Sequence, residues 1–307
     1  MGDLLEHRHY LEDARRFAAY DRALEHVARG KIVLDLGAGT GLLGLAALRH
    51  GARRVYGVES TGFADLTRAI AERNAAPGEY VVLRGSSRKI DLPEQVDVVL
   101  CDQLGAFICE GMPLPALADA ARRHLRSGGR LMPETIEFGV QALRSQAVGR
   151  HLGFWAAPRF ELDVSPLRET AVATPIYEHT RAAELAGPPA SLGVLGAGAH
   201  ADTLDLRTTV FVDDAGPVNG LAGFFTASLA PGVTITTRPA DPNRIDRENI
   251  VLAIDPPIEC SSGDGLDVRV RALLHSGVLA WAVHSAGEPP RRHSTWQGFT
   301  AAPIARG

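Results

Sequence analysis

Residues 33–41 read Val33-Leu34-Asp35-Leu36-Gly37-Ala38-Gly39-Thr40-Gly41, and this stretch decides the fold of the first half of the chain. A buried-type apolar run ends in three glycines spaced two apart, and GLLGLAALRHG (41–51) continues with helical character. A continuous apolar strand suits a parallel sheet covered on both faces. Glycines let the backbone turn sharply and come close to a ligand, while the helix start presents unpaired N–H groups. The same alternation extends outward. A helix is predicted over His7 to Arg29, with Leu11, Phe17, Tyr20, Leu24 and Val27 near helical spacing and Gly30 as its stop. Strands are predicted at residues 31–37, 54–59, 80–85 and 96–102, and helices at 64–74 and 114–125. Strands alternating with helices imply a doubly wound α/β, Rossmann-like domain, which we place over residues 1–133.

Past Pro133 the character changes. Short segments with period-two alternation lie at 135–143, 204–214, 221–229, 232–237, 249–255, 266–274 and 279–285, separated by Gly, Pro and Asp turns. An antiparallel β-barrel or sandwich is expected over residues 134–307. Residues 144–186 read as irregular and 187–201 as a loop.

Glu59 lies twenty positions beyond Gly39, at the end of the next strand, where a carboxylate can accept both hydroxyls of a ribose. The third glycine of a dinucleotide-binding loop is absent, because Leu42 stands there. Asp35 adds negative charge where a pyrophosphate would sit and suits instead a cationic group, such as the ammonium of a methionine moiety. The combination favours S-adenosylmethionine over a nicotinamide cofactor.

With these residues in view, the chain resembles the protein arginine methyltransferase family. Leu11-Glu12-Asp13-Ala14-Arg15-Arg16-Phe17-Ala18-Ala19-Tyr20 is similar to the family segment Leu-x-Asp-x-x-Arg-x-x-x-Tyr. The resemblance implies that Arg16 pairs with the cofactor's carboxylate, with Asp13 orienting it, and that His7 stands at the same end. Gly37, Gly39 and Thr40 in the loop, and Glu59 and Ser60 after the second strand, complete the implied cofactor set. Gly85-Ser86-Ser87-Arg88-Lys89-Ile90-Asp91 resembles the adenine-lining segment, which adds Ser87 and Arg88, although the family usually has an acid at position 88. Residues 101–112 (CDQLGAFICEGM) resemble the family's acidic hairpin, in which two carboxylates clamp an acceptor guanidinium. Asp102 and Glu110 take that catalytic and acceptor-binding role, the first one methylene shorter than the family's glutamate and the loop one residue shorter. Tyr10 lies beside the acceptor, where many members have methionine. The resemblance also implies a homodimer with an arm at about 144–170. The cluster of Phe154, Trp155 and Phe160 within it reads as core or interface packing rather than a ligand cage, and a dimer contact is expected of it. Where the family carries a Thr-His-Trp loop, near Asn243–Ile250, this chain has Ile245-Asp246-Arg247. The aromatic helix that precedes the family's first motif would need residues before Met1.

Methyl transfer needs a neutral nucleophile aligned with the donor, so two carboxylates localising a cationic nitrogen is the chemistry these residues suggest. The acceptor so implied is a guanidino or amine nitrogen of a peptide, protein or small molecule. O- or C-methylation of a metabolite, and a cofactor-binding scaffold without catalysis, are the competing readings. The 307 residues carry a net charge of −4, with 45% apolar and 22% charged, which argues against a dedicated nucleic-acid binder. No run is long enough to span a bilayer. Cys101, Cys109 and Cys260 are too few for a disulfide scaffold, and the histidines show no metal-ligand spacing, so no metal and a cytoplasmic location are expected.

Overall fold

The computed structural model describes residues 4–108, 114–199 and 201–296. Its first half holds five parallel strands: β1 (Ile32–Leu36), β2 (Arg54–Glu59), β3 (Tyr80–Arg84), β4 (Val96–Leu100) and β5 (Leu125–Met132). Their order across the sheet is β3-β2-β1-β4-β5. β1 is buried along its whole length because helices cover both faces. The strand order reverses beside β1, so the carboxyl ends of β1 and β4 face a common crevice, where open α/β sheets bind ligands.

The helix predicted over residues 7–29 is two helices, α1 (Leu4–Glu12) and α2 (Ala14–Val27). Asp13 ends one and caps the other: its ψ of 78° leaves the helical region, and its carboxylate accepts the Arg16 N–H at 3.1 Å. Apolar periodicity spans such a break unmarked, since an aspartate at the cap keeps the spacing on either side. α2 buries Ala19, Tyr20, Ala23 and Leu24. It packs against α3 (Leu42–Arg49) of the parallel half and against β10 (Gly216–Ala230) and β11 (Val233–Thr236) of the second half. α2 is therefore a wedge between the halves, and its position fixes where its first turn lies. α4 (Phe63–Asn74) and α5 (Leu114–His124) complete the cover of the sheet.

The second half is antiparallel. One sheet runs β7-β12-β10-β6-β8 with β11 beside β10, from β6 (Thr135–Leu143), β7 (Ile176–Glu178), β8 (Ala190–Gly196) and β12 (Asn249–Cys260). A second runs β15-β14-β13-β9, from β9 (Thr203–Phe211), β13 (Gly265–Leu273), β14 (Val278–His284) and β15 (Arg291–Ser294). Among the described residues these remain two sheets sharing a core, and the strand pairing closes no cylinder. The Trp281 indole N–H on β14 donates to the Ala253 carbonyl of β12 at 2.8 Å and ties the two sheets together. Phe107, just after β4, packs edge-on against Phe138 of β6, with ring centres 6.0 Å apart. That contact anchors the segment carrying Asp102 to the antiparallel half.

Two sequence expectations need correction here. Residues 187–201 are not simply loop, because Ala190–Gly196 forms edge strand β8, paired with β6. Its glycines and small side chains hide a strand whose hydrogen-bond partner lies elsewhere in the chain. The stretch 144–186 is also more ordered than it reads, with α6 (Gln146–Ala156), whose cap Ser145 accepts the Val148 N–H, followed by α7 (Leu167–Val172) and β7. Among the described residues no helix is long and apolar enough to cross a membrane.

Candidate functional site

A cleft of about 480 Å³ opens at the carboxyl ends of β1 and β4. Ten of the residues singled out from sequence line it: His7, Tyr10, Arg16, Asp35, Gly37, Gly39, Thr40, Glu59, Ser60 and Asp102. They come from α1, α2, the loop after β1, the end of β2 and the segment after β4. Ser87 and Arg88 do not line it: the Ser87 carbonyl accepts from Arg123, and Arg88 is exposed to solvent. Glu110 lies outside the described residues.

The glycine loop is built for close approach. Gly39 holds φ +53°, and a Cβ there would lie 2.9 Å from the His7 ring, so α1 folds directly onto the loop. His7 also stacks against Phe63, with ring centres 3.8 Å apart. The Glu59 carboxylate accepts the Gly39 N–H at 3.0 Å and the Thr61 N–H at 2.7 Å, which fixes it in the cleft lining. Asp35 is 4% exposed, and its carboxylate accepts the Gly44 N–H at 3.1 Å and the Tyr80 hydroxyl at 3.0 Å. Burial pushes its carboxyl up to about 7, with the hydrogen bonds from Tyr80 and Gly44 pulling back. The Tyr80 ring occupies the space a side chain at Gly57 would need, since a Cβ there would lie 2.6 Å away.

At the other end, Arg16 and Asp102 form an ion pair, and Arg16 also donates to the Tyr10 carbonyl at 2.6 Å. Asp13 and Arg16 are 6% and 7% exposed, so they are not a solvated surface pair. Asp13 acts on Arg16 through the backbone, as its helix cap, and also accepts the Asp246 N–H at 3.0 Å. Burial raises the Asp102 carboxyl above its ordinary range, while the Arg16 and Arg247 charges lower it. Two buried polar atoms here have no partner: Arg16 Nε, a donor, and Asp102 Oδ1, an acceptor. Unsatisfied buried polar atoms are rare, and an unpartnered donor and an unpartnered acceptor in one cleft suit ligand groups of opposite charge. The glycine cradle, Glu59, Asp35 and Arg16 fit S-adenosylmethionine, whose amino-acid tail has a carboxylate to meet Arg16 and an ammonium to meet Asp35, which leaves Asp102 Oδ1 for a second group.

Sequence reasoning missed several wall residues. Gln103 packs its amide against Gly37, and Leu104 and Gly105 follow it in the lining. Tyr80, which supports Asp35 from outside the lining, carried no motif. Arg247, read only as the occupant of a loop position, reaches the same cleft, with its guanidinium carbon 5.0 Å from the centre of the Tyr10 ring.

The profile of the ribosomal protein L11 methyltransferase (PrmA) family matches residues 18–146. Protein arginine N-methyltransferase 6 of Xenopus tropicalis is 29% identical over 175 residues, 55% of this chain and 52% of that protein. A probable histone-arginine methyltransferase CARM1 of Oryza sativa subsp. indica is 27% identical over 306 residues, 90% of this chain and 56% of that protein. The chain thus spans about half the length of the curated relatives it matches. In structure it is similar to the Trypanosoma brucei PRMT1 enzyme-prozyme complex with AdoHcy, with a TM-score of 0.84 at 20% identity, over 94% of this chain and 97% of that one. That likeness carries the fold.

Proposed function

We propose that this chain, a relative of the protein arginine N-methyltransferases, transfers a methyl group from S-adenosylmethionine to a guanidino or amine nitrogen. The acceptor is a peptide, protein or small molecule. The carrying observation is that Asp102 Oδ1 and Arg16 Nε are both buried and unpartnered in the glycine-loop cleft. In this reading Arg16 holds the cofactor's carboxylate, Asp35 faces its ammonium and Glu59 accepts from its ribose. His7 closes over the loop. S-adenosylmethionine, when bound, supplies an electrophilic methyl group on a positively charged sulfur.

Asp102 then localises the acceptor by accepting its N–H, with Glu110 as the second carboxylate of the pair and Tyr10 beside them. A charge-assisted bond of this kind orients the nitrogen lone pair toward the methyl group. Methylation of a guanidinium nitrogen releases one proton. We assign Asp102, whose proton affinity burial has raised, to receive it.

We read residues 1–133 as the cofactor half and 134–307 as the acceptor and assembly half. Exposed apolar side chains at Phe154, Phe160 and Leu162, in and after α6, support a homodimer contact in the arm at about 144–170. A cytoplasmic location agrees with the cysteine usage. The test is turnover with methyl-labelled cofactor against arginine, arginine peptides and cell extract. Base-stable label on a nitrogen supports the proposal. Base-labile label points to an ester and an oxygen acceptor, and bound cofactor with no transfer to any pool points to a scaffold; either rejects it.

A further inference from the structure

We propose that Arg247 reads a carboxylate on the methyl acceptor, so that the preferred substrate is a guanidino or amino compound bearing a carboxylate within reach of its accepting nitrogen. This rests on the methyltransferase reading of the cleft. Two guanidinium groups flank the Tyr10 ring, Arg16 at 4.7 Å and Arg247 at 5.0 Å from its centre. Arg16 is already offset by Asp102. Among the described residues, no carboxylate lies within ion-pair distance of Arg247, and a ring face offsets a cation only in part.

The placement of Arg247 is built, not incidental. Ile245, two residues before it, is buried, and the Asp246 N–H is fastened to the Asp13 carboxylate. The Arg247 N–H donates to the Ile245 carbonyl at 2.9 Å, and its own carbonyl accepts from the Arg244 guanidinium at 2.7 Å. The loop therefore presents the Arg247 guanidinium to the acceptor end of the cleft. It shares that cleft with Asp102, whose Oδ1 is unpartnered. An anion-binding and a cation-binding group in one cleft complement a zwitterion. Glu59 and Asp102 share the cleft, with Asp35 adding charge as it ionises, and this negative charge disfavours a dianionic phosphate over a single carboxylate. A basic peptide segment would bring further positive charge against Arg247, which selects against it.

The test measures binding to the protein saturated with S-adenosylhomocysteine, by calorimetry, alongside methyl transfer. The probes are arginine, N-acetylarginine, its amide, agmatine, and a short neutral peptide ending in arginine as acid or amide. Each acid is expected to bind roughly tenfold more tightly than its amide. Arg247→Gln should bring the ratio to about one, and Arg247→Lys should retain part of it. Thermal midpoints show whether each variant folds. Preference for the peptide acid identifies a chain terminus as the source of the carboxylate, and preference confined to the free compounds identifies a small molecule. Equal binding of acid and amide in the wild type, or an undiminished preference in Arg247→Gln, overturns the proposal while S-adenosylhomocysteine binding stands. If S-adenosylhomocysteine itself fails to bind, the methyltransferase reading falls and this proposal falls with it.

Discussion

Asp102 and Arg16 are paired in the cleft, yet each keeps one unpartnered polar atom, so their substitutions separate. Asp102→Asn should lower turnover about 10²–10³-fold, the range for removing one electrostatic contact to the reacting centre, with cofactor affinity changed far less. Arg16→Met should instead weaken S-adenosylhomocysteine by about 10–100-fold, as expected for a hydrogen bond between charged groups. Asp35 makes a pH prediction. Its carboxyl is raised from an ordinary value of 3.8 to about 7. The folded chain therefore binds more protons than the unfolded one between these values, and this contribution to stability is present below pH 3.8 and lost as pH rises through about 7. Thermal midpoints across that window should decline more steeply for wild type than for Asp35→Asn. Cofactor affinity should rise over the same interval, because an ammonium pairs with the ionised form.

At the scale of elements, Asp13 is the hinge on which the site is hung. It caps α2 and takes the Asp246 N–H from the far half of the chain. Asp13→Ala should cost about 1–2 kcal/mol in denaturant unfolding and should loosen Arg16, so cofactor affinity drops although Asp13 does not line the cleft. A stability loss with unchanged affinity would confine Asp13 to capping. Elements of the parallel half were legible because each buried strand is a continuous apolar run bounded by glycines and helices. β8 was not, since a short edge strand holding two glycines takes its identity from β6. The break at Asp13 was hidden for a different reason: helical spacing is preserved on both sides of a cap.

Over the whole molecule, the glycine loop, Glu59, Arg16 and Asp102 could be found from local patterns, because their chemistry depends on strand ends and on spacing along one segment. Arg247 could not be given a role that way. It reaches the cleft only because α2 is wedged between the parallel sheet and β10–β11, which sets the loop before β12 against Tyr10. Assembly belongs to this scale too. Phe160 is 97% exposed and Leu162 66%, so a double change of Phe160→Asp and Leu162→Asp should shift sedimentation from dimer toward monomer without lowering the thermal midpoint of the monomer. A wild-type chain that sediments as a monomer at micromolar concentration would contradict the dimer.

The most direct measurement is a calorimetric titration of S-adenosylhomocysteine into the wild-type chain, Arg16→Met and Glu59→Ala. One site per chain is expected, weakened at least about tenfold by either substitution. Absence of binding at millimolar ligand, or binding that neither substitution disturbs, would contradict it.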